Sequence, residues 1–215
     1  EAVLGVDVPT PDERAAFEES ARFYEENGAL YLTATLLGRR EEGRFVSGAV
    51  SFILAKDRLV TVRQIRPRAF EVGHGRASAR VGSASSGADV FFALIEGAAE
   101  RLADLLAEAT REANEISLRV FDDQKSPDLR AILRELGLVG SLAALSHESL
   151  ASVQRLLAYA RLVRERHGLD DARIGALMRD AAELERIAEA LQPRLSFLQD
   201  ATLGLINAAQ TNVLK

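Results

Sequence analysis

The chain has 215 residues, 47% of them hydrophobic and 27% charged, with a formal net charge of −5 and no cysteine. That length and apolar content suffice for a packed core with an extended appendage; the missing thiols exclude disulfides and thiolate metal sites and fit a reducing compartment. An acidic balance without a Lys/Arg run argues against nucleic acid as a partner, and with no run of ~18 uninterrupted apolar residues the sequence predicts no membrane span.

Thr10-Pro11-Asp12-Glu13 reads as a helix start, with Thr as N-cap, Pro at the first helical position and Glu closing a capping box. The pattern predicts a helix to about Glu26, ended by Asn27-Gly28. The period then changes. Residues 29–38, 45–55 and 58–65 are rich in Val, Ile, Thr and aromatics and read as strands. Arg40–Arg44 turns between the first two, and Lys56-Asp57 is a two-residue connection, so the strands form an antiparallel meander. Residues 66–87 carry Pro and Gly breaks and read as a short helix and a loop.

From Ala88 onward the sequence is helical. Phe91, Leu94, Ile95, Ala98, Leu102, Leu105 and Ala109 form the apolar stripe of a helix over about 88–122. Ser126-Pro127-Asp128 restarts a helix that carries to about His167, with Gly168 as its C-terminal cap and Asp170 or Asp171 capping the next. That last helix keeps two heptad rows. One is Ile174, Ala181, Ala188, Leu195, Thr202 and Ala209; the other is Leu177, Leu184, Leu191, Leu198, Leu205 and Asn212. Such rows demand a packed seam. Pro193 should bend the helix or open one turn. Leu198, Leu205 and the small residues beyond Thr202 are expected to lie past the reach of the preceding hairpin and to need partners from other copies, through residues 195–215. The helical register is still running at Lys215 and the chain opens on Glu1, so a piece of a longer protein is expected.

No catalytic constellation emerges. His74, His147 and His167 lie far apart and read as surface or cap residues, and the sequence holds no GxSxG, HExxH or Walker loop. The chain is therefore not expected to be an enzyme. Carboxylates are the remaining chemistry. The last helix carries Asp180, Glu183, Glu185, Glu189 and Asp200, which fit either a solvated face paired with nearby arginines or, converging from adjacent copies, a hard-cation site that holds Mg²⁺ through water. Asp12 and Glu13 are the opposite acidic partner. Asp200, Gly204, Asn207 and Thr211 recur at helical spacing on one face, either solvated or lining a path for a hydrated cation.

The stretch FLQDATLGLINAAQTNVLK resembles the helix that runs into the first membrane span of the CorA magnesium and cobalt channels. Phe197, Leu198, Asp200, Ala201, Gly204, Ile206, Asn207, Gln210, Val213 and Lys215 match, whereas Ala209 and Thr211 stand where Glu and Asn are common. Upstream, DVPTPDE, SARFYEENGALYLTATLL and AKDRLVTVRQIRPRAF resemble the CorA cytoplasmic domain. The resemblance implies a homo-oligomer, a pentamer in the full-length protein, joined to the inner membrane through spans beyond Lys215 and lying on its cytoplasmic face. It implies Mg²⁺, with Co²⁺ as a second cation, and no organic cofactor. It implies Mg²⁺ sensing between subunits, by Asp12 or Glu13 on one and Asp180 on the next, and a pore face formed by Asp200, Gly204, Asn207 and Thr211.

The expected fold class is α+β: a small, mainly antiparallel sheet with flanking helices, then a long helical hairpin and a long C-terminal stalk helix. The expected divisions are 1–87, 88–167 and 168–215. A ZntB-like zinc transporter domain and a soluble coiled-coil interaction module are the alternatives, and the ending INAAQTNVLK favours CorA over the former.

Overall fold

A computed structural model describes residues 6–15, 18–39, 45–67, 70, 86–122 and 128–213. Its sheet has four antiparallel strands in the order β1-β2-β3-β4: β1 (Phe23–Glu26), β2 (Ala29–Arg39), β3 (Phe45–Ala55) and β4 (Arg58–Arg63). Lys56, at φ 54°, turns β3 into β4 as the two-residue connection predicts. The expected turn over 40–44 lies outside the described residues.

The first element departs from expectation. The capping box is present: the Thr10 amide and hydroxyl donate to the Glu13 carboxylate at 2.7 and 2.9 Å, and the Glu13 amide donates back to Thr10 Oγ1 at 3.3 Å. The helix it starts is short, α1 (Pro11–Ala15), followed by α2 (Glu19–Arg22). Residues 23–26 are not helix but strand β1, with Tyr24 opposite Tyr31 and their rings stacked at 4.5 Å. Asn27 and Gly28 both take positive φ, 50° and 76°. That is the primed hairpin turn for which Asn-Gly is the strongest short signal, and pairing to β2 outweighs helix propensity.

Alternation along the strands sorts the sheet into two faces. Leu30, Leu32, Ala34 and Leu36 join Val50, Phe52 and Leu54 in a core shared with the helices. The other face buries Tyr31 and Ile53 with Val6, and Thr33 and Ser51 share a 2.7 Å hydroxyl hydrogen bond there.

The helices are α3 (Gly87–Val120), α4 (Leu129–Leu162), the one-turn α5 (Arg164–His167) and α6 (Asp171–Val213). Ser86 and Asp89 form a reciprocal capping box at the start of α3. The short helix expected over 66–87 lies mostly outside the described residues. At α4 the cap is Asp128, accepting from the amides of Arg130 and Ala131, two residues later than the expected Ser126. Gly168, at φ 63°, closes α5, and Asp170 caps α6 through the Ala172 amide at 2.8 Å.

As far as Thr202 both heptad rows of α6 face inward on α3 and α4; beyond it Leu205 and Ala209 are exposed. Ile174, Ala181, Ala188, Leu195 and Thr202 are all at or below 2% exposed. Leu198, expected beyond the hairpin, is buried against it: α3 and α4 are each 34 residues, about 50 Å long, and cover most of α6. The helix stays continuous through Pro193, with no opened turn. Pro193 is exposed and sits between buried Leu191 and Leu195, which hold the helix to the hairpin.

By length and composition α4 could cross a membrane, with an 18-residue window of mean hydropathy 1.2. Half of that window is buried in this fold, where α4 lies across the sheet and along α6, so its apolarity serves a protein core.

Two glycines test this packing with opposite signs. A Cβ on Gly87 would lie 2.5 Å from the Arg58 carbonyl carbon, whereas one on Gly137, inside α4, meets nothing within 4 Å. Gly137→Ala is expected to raise stability by about 0.5–1 kcal/mol, and Gly87→Ala to lower it by about 1 kcal/mol or more because backbone must move. Urea unfolding followed by circular dichroism measures both; equal signs would refute the docking of α3 on the β3–β4 turn.

Candidate functional site

The acidic side chains singled out by sequence lie mainly on α6, so its anchoring comes first. At its start Asp171 accepts from Arg161 Nε at 2.8 Å and Nη2 at 3.2 Å, and that contact holds its carboxyl below the usual range. Two residues further, Arg173 donates to Glu96 at 2.8 Å and Asp89 at 3.2 Å, with its guanidinium 4.4 Å from the Phe92 ring centroid. Arg173 thus ties α6 to the first three turns of α3 by charge and by cation–π contact.

Asp180 follows two turns later, exposed, on the rim of a cleft of about 320 Å³ between α3 and α6. Ala99, Ala103, Leu177, Leu184 and Ile187 make its apolar floor, and Glu96, Glu100, Asp180 and Glu183 set four carboxylates around it. Sequence reading found Asp180 and Glu183 but missed Glu96 and Glu100. The signal was present: both lie on the polar flank of the α3 stripe. Which α6 face meets that flank is a tertiary fact that one helix's periodicity does not carry.

Asp12 and Glu13 do not line this cleft. They are exposed on α1, which packs on α2 and β3. The Glu13 carboxylate is engaged by the Thr10 amide and then its hydroxyl, which lower its pKa. Within one chain the two acidic sets are therefore separate.

The remaining candidates sit on the last turns of α6. Asp200, Gly204 and Asn207 are all exposed and share a face, as their spacing predicts. Thr211 belongs to the same helix, and its side chain lies outside the described residues. Thr202 marks the end of burial, its hydroxyl donating to the Leu198 carbonyl at 2.6 Å. Beyond it Leu203 and Leu205 are 48% and 41% exposed. Phe197 stacks on Phe121 with ring centroids 6.2 Å apart, both more than half exposed.

The model of the CorA-like Mg²⁺ transporter protein family matches residues 4–215. The magnesium transport proteins CorA of Salmonella typhimurium and Escherichia coli are each 25% identical over 214 residues, 99% of this chain and 67% of their own length. These relatives are transport proteins. Among solved structures, the complete CorA magnesium transporter of Methanocaldococcus jannaschii superposes with a TM-score of 0.72 at 13% identity, over 90% of this chain and 61% of that one. Its soluble domain gives 0.67 at 13% identity over 86% and 73%. The ZntB cytoplasmic domain of Vibrio parahaemolyticus gives 0.61 at 16% identity over 95% and 80%. The chain thus spans about three fifths of the complete transporter, and the fold is that of the CorA soluble domain.

The ion network at the start of α6 makes a pH signature. Hydrogen bonds from the Ser86 hydroxyl and amide, with Arg173 nearby, depress the Asp89 carboxyl. A depressed folded pKa contributes stability that is complete above the unfolded value, about 3.9, and is lost as pH falls through the lower folded value. Asp89→Asn is therefore expected to be less stable than the parent at pH 7, with the gap closing under acid. Urea midpoints across pH 7 to 2 read this directly, and a gap independent of pH would refute the assignment.

Proposed function

The chain belongs to the family of CorA-like Mg²⁺ transporter proteins, and on that premise we propose that it is the cytoplasmic regulatory domain of a divalent-cation channel. Mg²⁺ is the expected cation and Co²⁺ a second. The domain assembles as a symmetric homo-oligomer, a pentamer in the complete protein, with α6 as the stalk leading towards membrane spans beyond Lys215.

The observation that carries this reading is where burial stops along α6. Its apolar stripe is covered by α3 and α4 as far as Thr202, then leaves Leu203 and Leu205 exposed on a helix that continues to Val213. Those turns find no cover among the described residues of one chain. Copies of α6 placed around an axis would cover them and would turn the face of Asp200, Gly204, Asn207 and Thr211 inward. Exposed carboxylates and an unbranched glycine there leave room for a cation that keeps its water.

Regulation follows from charge. Asp180, on the rim of a cleft with three other carboxylates, is the ligand we assign to one subunit, and Asp12 or Glu13 the ligand from its neighbour. Mg²⁺ between them neutralises like charges and favours the closed, symmetric arrangement; without it the carboxylates repel and the stalks loosen. The ligand shifts this equilibrium only through its different affinity for the two arrangements.

Two measurements follow. Self-association of the 215-residue chain through residues 195–215 is expected in light scattering and should be weakened by Leu205→Glu with no change in monomer unfolding. A chain that stays monomeric at high concentration, with and without Mg²⁺, argues against the assembly. In thermal melts at fixed ionic strength, Mg²⁺ at ten times Kd should stabilise the parent by about 1.4 kcal/mol, and Asp180→Asn and Asp200→Asn should each blunt that response. Equal responses from all three proteins would return these carboxylates to a solvated helix face.

A further inference from the structure

We propose that His147, Glu185 and Glu189 form a binding site for a borderline transition-metal dication, of the zinc and cobalt class, in the seam between α4 and α6. It is separate from the carboxylate contacts assigned to Mg²⁺ and does not depend on that reading.

Glu185 and Glu189 are four residues apart on α6, so they share one helix face. His147 approaches from α4. One ligand atom of each lies within 4.8 Å of the other two. Three donors bound to one ion at about 2.0–2.2 Å stand roughly 3–4 Å apart, so small rotamer adjustments close the set.

The histidine supplies the second observation. Its Nδ1 is buried and has no hydrogen-bond partner among the described residues. Glu185 Oε1 is 3.8 Å away, beyond hydrogen-bond range. A buried ring nitrogen without a partner costs stability, and its distance to Oε1 is one that a shared cation spans. Glu185 is also oriented from outside: the Gln154 amide, two turns along α4 from His147, donates to Oε2 and leaves Oε1 towards the imidazole. Hydrogen bonds that fix a ligating carboxylate in this way are the usual outer support of a metal centre. Glu189 is exposed, so the fourth position faces water.

Donor chemistry selects the ion. One imidazole and two carboxylates suit Zn²⁺ or Co²⁺. Mg²⁺ prefers oxygen donors in near-octahedral geometry and keeps its water, so it competes poorly here. Because the ligands join α4 to α6, occupancy would clamp the stalk to the hairpin, midway between its ion-paired start and its exposed end.

The test uses the 215-residue chain stripped with a chelator and titrated with Co²⁺ and Zn²⁺. The expected result is a saturable Co²⁺ ligand-field absorption at one equivalent, abolished by Zn²⁺ and unmoved by millimolar Mg²⁺, with the His147 ring nitrogen shifting in imidazole-detected NMR. His147→Gln and Glu185→Gln should each weaken Co²⁺ binding about 10- to 100-fold, and the exposed Glu189→Gln should weaken it while leaving the fold intact by circular dichroism. Asp180→Asn should change nothing, which separates this site from the Mg²⁺ contact. Absence of saturable binding, an unshifted His147 resonance, or binding insensitive to His147→Gln and Glu185→Gln would overturn the proposal and leave an ordinary histidine–carboxylate contact.

Discussion

The fold depends on how the outer edge of β2 is closed. This strand has 11 residues, but β1 pairs only with Ala29–Leu32. Beyond Leu32, among the described residues, the outer edge of β2 meets only the single bridge of Arg39 to Arg66, and the Thr35 and Leu37 amides between them are covered by a helix. Serines on α4 supply the acceptors: Ser152 Oγ takes the Thr35 amide at 2.8 Å and Ser149 Oγ the Leu37 amide at 3.3 Å. A buried amide left without an acceptor costs about 1–3 kcal/mol, and two hydroxyls three residues apart, meeting amides two residues apart, define one placement of helix on strand. That placement fixes α4 on the sheet. It then fixes α3 and α6, which share the core beneath it through Leu156, Leu157 and Ala160.

Much of this architecture was legible in the sequence because it is written in periodicity. The strands at 29–39, 45–55 and 58–63, the stripe of α3 and the two rows of α6 all arise from a single element meeting one apolar surface. The failures have a common cause. At 23–26 a helix-compatible sequence pairs as a strand because Asn27-Gly28 makes the hairpin turn, so a local signal was present and was assigned to the wrong element. Leu198 is expected beyond the hairpin although the helix lengths read from the sequence are close to those observed; which turn of α6 meets the hairpin's end is set by tertiary packing. In an apolar helix the serines of α4 look like small fillers, and only the short β1 reveals what they bind.

The same limit governed the chemistry. Asp180 and Glu183 were found as acidic residues on one helix, whereas Glu96 and Glu100 complete the cleft from α3, some 80 residues earlier in the chain. His147 reads as a surface residue because no partner lies at short spacing, and its side chain is 41% exposed; Glu185 and Glu189, about 40 residues on, approach it across a helix seam. Sequence spacing exposes sites built within one element. Sites assembled between antiparallel helices need the register of the seam, which here descends from the serine contacts with β2.

That register also gives the two ends of α6 different mechanics. The start is held by directional charge, with Asp171 on Arg161 and Arg173 shared among Asp89, Glu96 and the Phe92 ring. Each exposed pair contributes little alone, but together they leave one orientation. The far end packs through apolar contact, with Leu191, Leu195 and Leu198 buried against the hairpin, and such contact is non-directional and tolerates sliding. Displacement of the stalk relative to the hairpin is therefore easiest beyond Thr202, where the candidate cation-facing residues lie, and hardest at Asp171. A bound ion acting on this helix has most effect between those ends. Asp180, and the seam of Glu185 and Glu189 with His147, occupy that middle stretch, where a change of charge on one face of α6 can bias the position of its free end without unfolding its fixed one.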